Sequence, residues 1–202
     1  MVVKSSCLYL HDGFADWEAA FILPELNNKS PHKVKTVAAT LAPVTSMGGL
    51  RVTPDTTLDS LDPASVAVFI LPGGEDWVDA AANAAVMQLL PRLRERGIPL
   101  AAICGATLAF ARLGFLDTVA HTSNMPGFLE TFAPAYAGGA RYRADALAVT
   151  DGGIVTASGI GALEFAYEII KLLNIYNRQT ARQWFDLFKS GAVPPPEFWS
   201  RK

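Results

Sequence analysis

Short runs of β-branched and other apolar residues alternate along the chain with longer stretches in which apolar residues recur every three to four positions. That is the pattern of strands and crossover helices in an α/β sheet. Residues 2–10 predict a first strand, ended by His11-Asp12-Gly13, and residues 16–26 predict a helix. A second strand follows over 33–39, bounded by Pro31 and Pro43. Residues 44–58 hold Met47-Gly48-Gly49 among polar and β-branched positions and read as a hairpin or an irregular extended excursion. The wholly apolar run 66–71 is a buried strand that passes directly into Pro72-Gly73-Gly74.

An Ala-rich helix is expected from about 83 to 96, kinked at Pro91 and closed by Gly97. Residues 98–103 form the next strand, and after Cys104-Gly105 the run 106–113 is helical up to Gly114. A short strand is expected over 119–122, a short helix over 128–132, and a pair of strands within 146–157 turned by Asp151-Gly152-Gly153. Residues 162–173 form a strong helix. Residues 178–189 form an amphipathic one whose Trp184, Phe185 and Phe188 pack on the body or on a second subunit. The Pro194-Pro195-Pro196 tail cannot continue it.

With 202 residues, half of them hydrophobic and 18% charged, the chain can bury a sizeable core as a single domain. Seventeen basic against nineteen acidic side chains give a net charge of -2, which disfavours nucleic acid as a ligand. The apolar part of the first ten residues is too short for a signal peptide, and no run reaches the roughly 20 apolar residues of a membrane span. A soluble cytoplasmic protein is expected. Cys7 and Cys104 are the two cysteines, too few for a disulfide framework and without the spacing of a zinc site, so no metal or organic cofactor is implied.

In an open α/β sheet, ligands bind beyond the carboxyl ends of the strands. Four segments end there: His11-Asp12-Gly13 with Glu18 shortly after, Pro72-Gly73-Gly74, Cys104-Gly105-Ala106, and His121-Thr122-Ser123-Asn124. Cys104 sits on a strand-to-helix turn, where a side chain projects above the sheet and the following amides face what it binds. A helix N-terminus favours its thiolate by at most ~2 kcal/mol, or roughly 1.5 pKa units below ~8.5, so a further donor or cation is needed for full ionisation. From position alone, Cys104 is either that nucleophile or a small buried apolar residue. Cys7, mid-strand, belongs to the core.

Glu18, in the first turn of the expected helix, is either a solvated acid complementing the helix dipole or, among Trp17, Ala19, Ala20 and Phe21, a buried carboxyl with a raised pKa. Protonated, it donates a hydrogen bond to a thiolate; ionised, it disarms the thiol. His121 is placed to act as general base or charge partner for Cys104, with Thr122 beside it. His11 either lines the same crevice or caps its strand, and His32 is a surface residue. Gly73 and Gly74 offer bare amides that, with Gly105, form either an oxyanion hole or simply a tight turn.

Together, Leu71-Pro72-Gly73-Gly74, Ala101-Ala102-Ile103-Cys104-Gly105-Ala106, the early Glu18 and Ser158-Gly159 before the last long helix resemble the DJ-1/PfpI family of the class I glutamine amidotransferase-like superfamily, over about residues 2–173. The resemblance implies a flavodoxin-like three-layer α/β sandwich with a mostly parallel sheet, a single domain extended by helices over 174–202, and a homodimer. It implies Cys104 as the reactive cysteine, Glu18 as its protonated partner, Gly74 and Gly105 as oxyanion amides, and His121 as the histidine after the elbow helix. Similar members are peptidases or amidases, glyoxalase- or deglycase-like enzymes, isocyanide hydratases, chaperones and oxidative-stress sensors. Gly105 stands where peptidase-like members carry histidine, and Gly159 to Glu164 lacks the late His-x-Glu of glutaminases, which argues against both activities. The Cys-Gly-Ala-Thr and His-Thr-Ser-Asn segments look like a bacterial branch of the family. A cysteine enzyme acting on a small carbonyl or amide compound is therefore expected, with a sensor or chaperone-like homologue using the same cysteine as the alternative.

Overall fold

A computed structural model describes residues 4–199. Its centre is a seven-stranded sheet built from β1 (Ser5–Tyr9), β2 (Val34–Ala38), β5 (Thr56–Thr57), β6 (Val66–Leu71), β7 (Leu100–Ile103), β8 (Ala148–Asp151) and β9 (Ile154–Ala157). The order across it is β5-β2-β1-β6-β7-β9-β8, parallel throughout except for the edge strand β8, which runs antiparallel to β9. A separate two-stranded hairpin, β3 (Val44–Thr45) with β4 (Arg51–Val52), fills part of the expected extended excursion. Residues 2 and 3 of the expected first strand lie outside the described residues.

The all-apolar sequence of β6, Val-Ala-Val-Phe-Ile-Leu, is buried at every position because a parallel strand is covered on both faces. Alternation then sorts side chains between two cores. Phe69, Leu71, Leu100 and Ala102 face one side with α2 (Ala84–Glu95), α3 (Thr107–Arg112) and α4 (Phe128–Phe132). Val68, Ile70, Ala101 and Ile103 face the other with α1 (Ile22–Asn28), α5 (Ala162–Leu172) and α6 (Arg178–Ser190). This is the expected flavodoxin-like three-layer sandwich. The β8–β9 turn is closed by Gly152 and Gly153 at φ 54° and 78°, the left-handed pair that a two-residue hairpin needs.

Three local expectations are corrected. The helix expected over 16–26 begins only at Ile22. Pro24 lacks an amide proton and is tolerated in a first turn but not mid-helix, so the preceding residues form single turns instead. They are pinned to the loop after β6, where the Ala15 amide donates to the Gly73 carbonyl at 3.0 Å. The strand expected over 119–122 reduces to one bridge between His121 and Tyr142. The strand expected over 98–103 begins at Leu100, after Pro99. Apart from these, Pro91 lies inside α2, within the span expected for that helix.

Asn177 caps α6 by accepting from the Thr180 amide at 2.9 Å, and Gly191 ends it at φ 72°. Trp184 packs on the body of this chain, donating from Nε1 to Glu25 Oε1 at 2.9 Å, while Phe188 stays exposed. The proline run does not extend α6. Pro196 instead opens a last short helix, α7 (Pro196–Trp199). No helix among the described residues is long and apolar enough to cross a membrane.

Candidate active site

The strand β7 ends at Ile103, and a single 3₁₀ turn, Cys104–Ala106, leads into α3. Cys104 takes φ 58°, which costs a side-chain-bearing residue on the order of 1–3 kcal/mol and persists where the surroundings enforce it. The enforcement is visible. Thr107 Oγ1 donates to the Cys104 carbonyl at 2.6 Å and lies 2.7 Å from Ser123 Oγ. Gly105 is required by packing, since a Cβ there would lie 2.8 Å from the Gly74 carbonyl oxygen and 3.1 Å from Trp77 Cβ. Trp77 is in turn held by its Nε1–H, which donates to the Pro72 carbonyl at 2.9 Å.

Glu18 is fully buried. Its Oε2 accepts from the Gly73 amide at 2.5 Å, its Oε1 has no hydrogen-bond partner, and the carboxyl lies beside the Cys104 thiol, with both bordering Gly73 and Gly159. Burial pushes this carboxyl up to about 7, against the pull of the Gly73 amide and the thiol. The two groups share a cradle without side chains. A Cβ at Gly73 would lie 2.7 Å from Cys104 Cβ and 2.8 Å from Glu18 Oε2, and one at Gly159 would lie 2.9 Å from Sγ.

The thiol itself is pushed up, first by burial and then by the Glu18 carboxylate, while the Asn124 and Gly105 amides pull it down. The expected depression by a helix N-terminus is outweighed, because α3 is short and the sulfur is desolvated. Glu18 and Cys104 therefore compete for one proton. Cys7 is a core residue whose thiol burial pushes up to about 11.

The structure does not bring His121 to Cys104. Its buried ring is held by the Val119 carbonyl at Nδ1, 2.8 Å away, and by the Tyr136 hydroxyl at Nε2, 2.6 Å away. Burial lowers its pKa, and the neutral ring donates from Nδ1 and accepts at Nε2. Thr122 is likewise structural, with its amide donating to Thr156 Oγ1 and its hydroxyl to the Ala146 carbonyl, each at 2.9 Å. The partner from this segment is Asn124, which sequence reasoning passed over. Its Nδ2 donates to Cys104 Sγ at 3.5 Å, and its Oδ1 accepts from the Gly159 amide at 3.0 Å, which orients the amide group.

His11 lies behind the Gly73-Gly74 loop. Its Nδ1 is 2.9 Å from Asp76 Oδ2, its ring stacks on Tyr9 and meets Trp77 edge to face, and a Cβ on Gly74 would lie 2.5 Å from its Cε1.

Two lobes of one cleft open over the sulfur. The larger, about 430 Å³, is walled by Met125, Ser158, Gly159 and Ile160. The smaller, about 220 Å³, is walled by Met47, Gly74, Glu75, Val78 and Gly105. Both share Trp17, Glu18, Cys104, Asn124 and Phe128. Among the described residues no group of three or more His, Cys, Asp or Glu side chains is gathered for a metal ion.

A parallel α/β sandwich whose strand-to-helix turn holds a cysteine at positive φ against a buried carboxyl has the architecture of the cysteine nucleophile-elbow proteins. The DJ-1/PfpI family model matches residues 4–172, and the chain belongs to that family. It is 36% identical over 197 residues to a Bacillus subtilis protein named uncharacterized protease YoaZ, covering 94% of this chain and 93% of the relative. At 26% identity it matches a Thermococcus kodakarensis protein named a deglycase, over 80% of this chain and 95% of that one. A crystal structure of a ThiJ/PfpI family protein from Bacillus anthracis superposes with TM-score 0.88 at 36% identity, over 99% of this chain and 95% of that one. The DJ-1 superfamily protein Atu0886 from Agrobacterium tumefaciens gives 0.85 at 37%, over 94% and 99%.

Two substitutions test the geometry of the cradle. Asn124→Ala removes the Nδ2 donor and leaves the Gly159 amide unpaired, so alkylation of Cys104 by iodoacetamide at pH 7 should slow by roughly three- to tenfold. Gly159→Ala puts a methyl group 2.9 Å from Sγ, so the same alkylation should fall at least tenfold, with far-UV circular dichroism unchanged.

Proposed function

We propose that this protein is a cysteine-dependent enzyme of the hydrolase/amidase or glyoxalase-like kind, acting on a small carbonyl or amide compound. The observation that carries this reading is Cys104 at φ 58°, beside the buried Glu18 carboxyl and opening into the cleft. A strained cysteine beside a titrating carboxyl is costly for a core residue and useful to a nucleophile.

In this reading ionised Glu18 takes the thiol proton, and Sγ adds to the substrate carbon. The C=O π pair moves to oxygen, which lies toward the Gly105 and Gly74 amides. The Glu18 proton then passes to that oxygen, and the carboxylate is restored. Asn124, not His121, is the side chain that holds the sulfur in place. The protease reading gains nothing from the site, since Gly105 and not histidine follows the nucleophile.

The test is turnover of a panel of small α-oxoaldehydes and chromogenic amides by the wild type and Cys104→Ala. Saturable turnover lost in the variant supports the enzyme. No turnover, together with selective oxidation of Cys104 over Cys7 at low peroxide, would favour the sensor reading instead.

A further inference from the structure

The walls of the cleft say more about the ligand than the nucleophile does. Beyond the residues around the sulfur, the larger lobe is lined by apolar side chains left in solvent: Trp17 is 49% exposed, Met125 61% and Ile160 83%, with Phe128 half-buried between them. Scattered exposed apolar residues are ordinary, but a set converging on one reactive atom marks a binding surface. Several of its polar groups are already engaged. The Asn124 amide is spent on Sγ and Gly159, and the Ser158 amide on the Leu147 carbonyl.

Charge adds a second constraint. No Lys, Arg or His among the described residues lines either lobe, whereas Glu18 and Glu75 do. A carboxylate or phosphate on the ligand would be desolvated beside carboxyl groups with no cation to meet it. The lobes also differ from one another. The Gly105 amide points at the sulfur, and Gly105 and Gly74 both line the smaller lobe. An oxygen that these amides hold lies in the smaller lobe, and the rest of the molecule extends into the larger, apolar one. At about 430 Å³ that lobe falls within the roughly 300–1,000 Å³ range of small-ligand clefts.

We infer that the site takes an uncharged carbonyl compound carrying an apolar side chain, with Trp17, Met125, Phe128 and Ile160 as its specificity-determining residues. The orientation rests on the nucleophilic role proposed above for Cys104; the selectivity requires only that Cys104 can be reached.

Matched methanethiosulfonates test it by labelling Cys104 without turnover. The reagents are benzyl (neutral, apolar), methyl (neutral, small), sulfonatoethyl (anionic) and trimethylammonioethyl (cationic). Each rate is divided by that with a small-molecule thiol, and the label is located by peptide mass. The benzyl reagent should react at least tenfold faster than the methyl one, the sulfonate at least tenfold slower, and the cation no faster than methyl. Phe128→Ala should bring the benzyl-to-methyl ratio to within about threefold. Ile160→Lys, at a solvent-exposed position that tolerates polarity, should raise the sulfonate rate relative to methyl by several-fold.

Equal normalised rates for benzyl and methyl, or a sulfonate as fast as methyl, would overturn the inference. So would a cation faster than benzyl, which would assign the selection to Glu75. A benzyl preference that appears only on tenfold dilution would show the wall covered by a second copy of the chain and would also overturn it. The expected selectivity with no metabolite turnover would overturn the enzymatic reading and leave this one standing; turnover without the selectivity would do the reverse.

Discussion

Cys104→Ser abolishes thiol-directed labelling at position 104 and lowers any turnover at least a thousandfold. Serine is the informative replacement because it keeps a side chain of similar size at φ 58° and can still accept from the Asn124 amide. What it loses is ionisation near neutral pH and the intrinsic nucleophilicity of sulfur, and losses of a covalent nucleophile fall in this range. Cys7 cannot substitute, being a buried core residue whose thiol is pushed up to about 11. Turnover of the serine variant within tenfold of wild type would remove Cys104 from the chemistry.

Glu18→Gln separates the two roles assigned to the carboxyl. Glutamine can still accept from the Gly73 amide and can present Nε2–H to the sulfur, but it has no negative charge and no transferable proton. The ionised carboxyl raises the thiol, so its removal lowers the thiol pKa, and alkylation by iodoacetamide at pH 7 should rise several-fold. Turnover should instead fall about a hundredfold or more, because the proton relay is gone. If alkylation and turnover fell together, Glu18 would be acting on the thiol as a donor alone.

The same variant has a thermodynamic signature. Glu18 titrates near 7 in the folded protein against an ordinary 4.5, so the folded state holds its proton more tightly than the unfolded chain. Its contribution is fully present below about pH 4.5 and is lost as pH rises through 7, and by pH 8 the loss approaches about 3 kcal/mol. Glutamine cannot ionise. Urea denaturation at pH 4.5 and pH 8 should show the variant gaining up to that amount relative to wild type across the interval, and no relative gain would mean that the carboxyl is not desolvated.

The chemistry that sequence makes legible is the chemistry encoded locally. Cys104 directly follows an apolar run and precedes glycine, and Gly73-Gly74 directly follows another, so strand ends and turns locate them without reference to the rest of the chain. Periodicity likewise separated the buried β6 from the amphipathic α6, because apolar spacing reports which faces are covered. Even the late start of α1 is written locally in Pro24, a signal outweighed by the apolar spacing around it.

Tertiary structure decided what depends on distant partners. His121 and Asn124 lie three residues apart on one loop and are equally plausible by position; Tyr136 claims the histidine, and the Gly159 amide aims the asparagine at the sulfur. The two-residue strand β5 exists only because β2 offers an edge. The wall of the cleft joins Trp17, Phe128 and Ile160, which are far apart in the chain. Above all, the protonation of Glu18 and Cys104 is set by desolvation, which is a property of the assembled core: the sequence by itself places a thiol at the end of one strand and a carboxyl in the segment that follows another, and only the packing around Gly73 and Gly159 makes them compete for one proton.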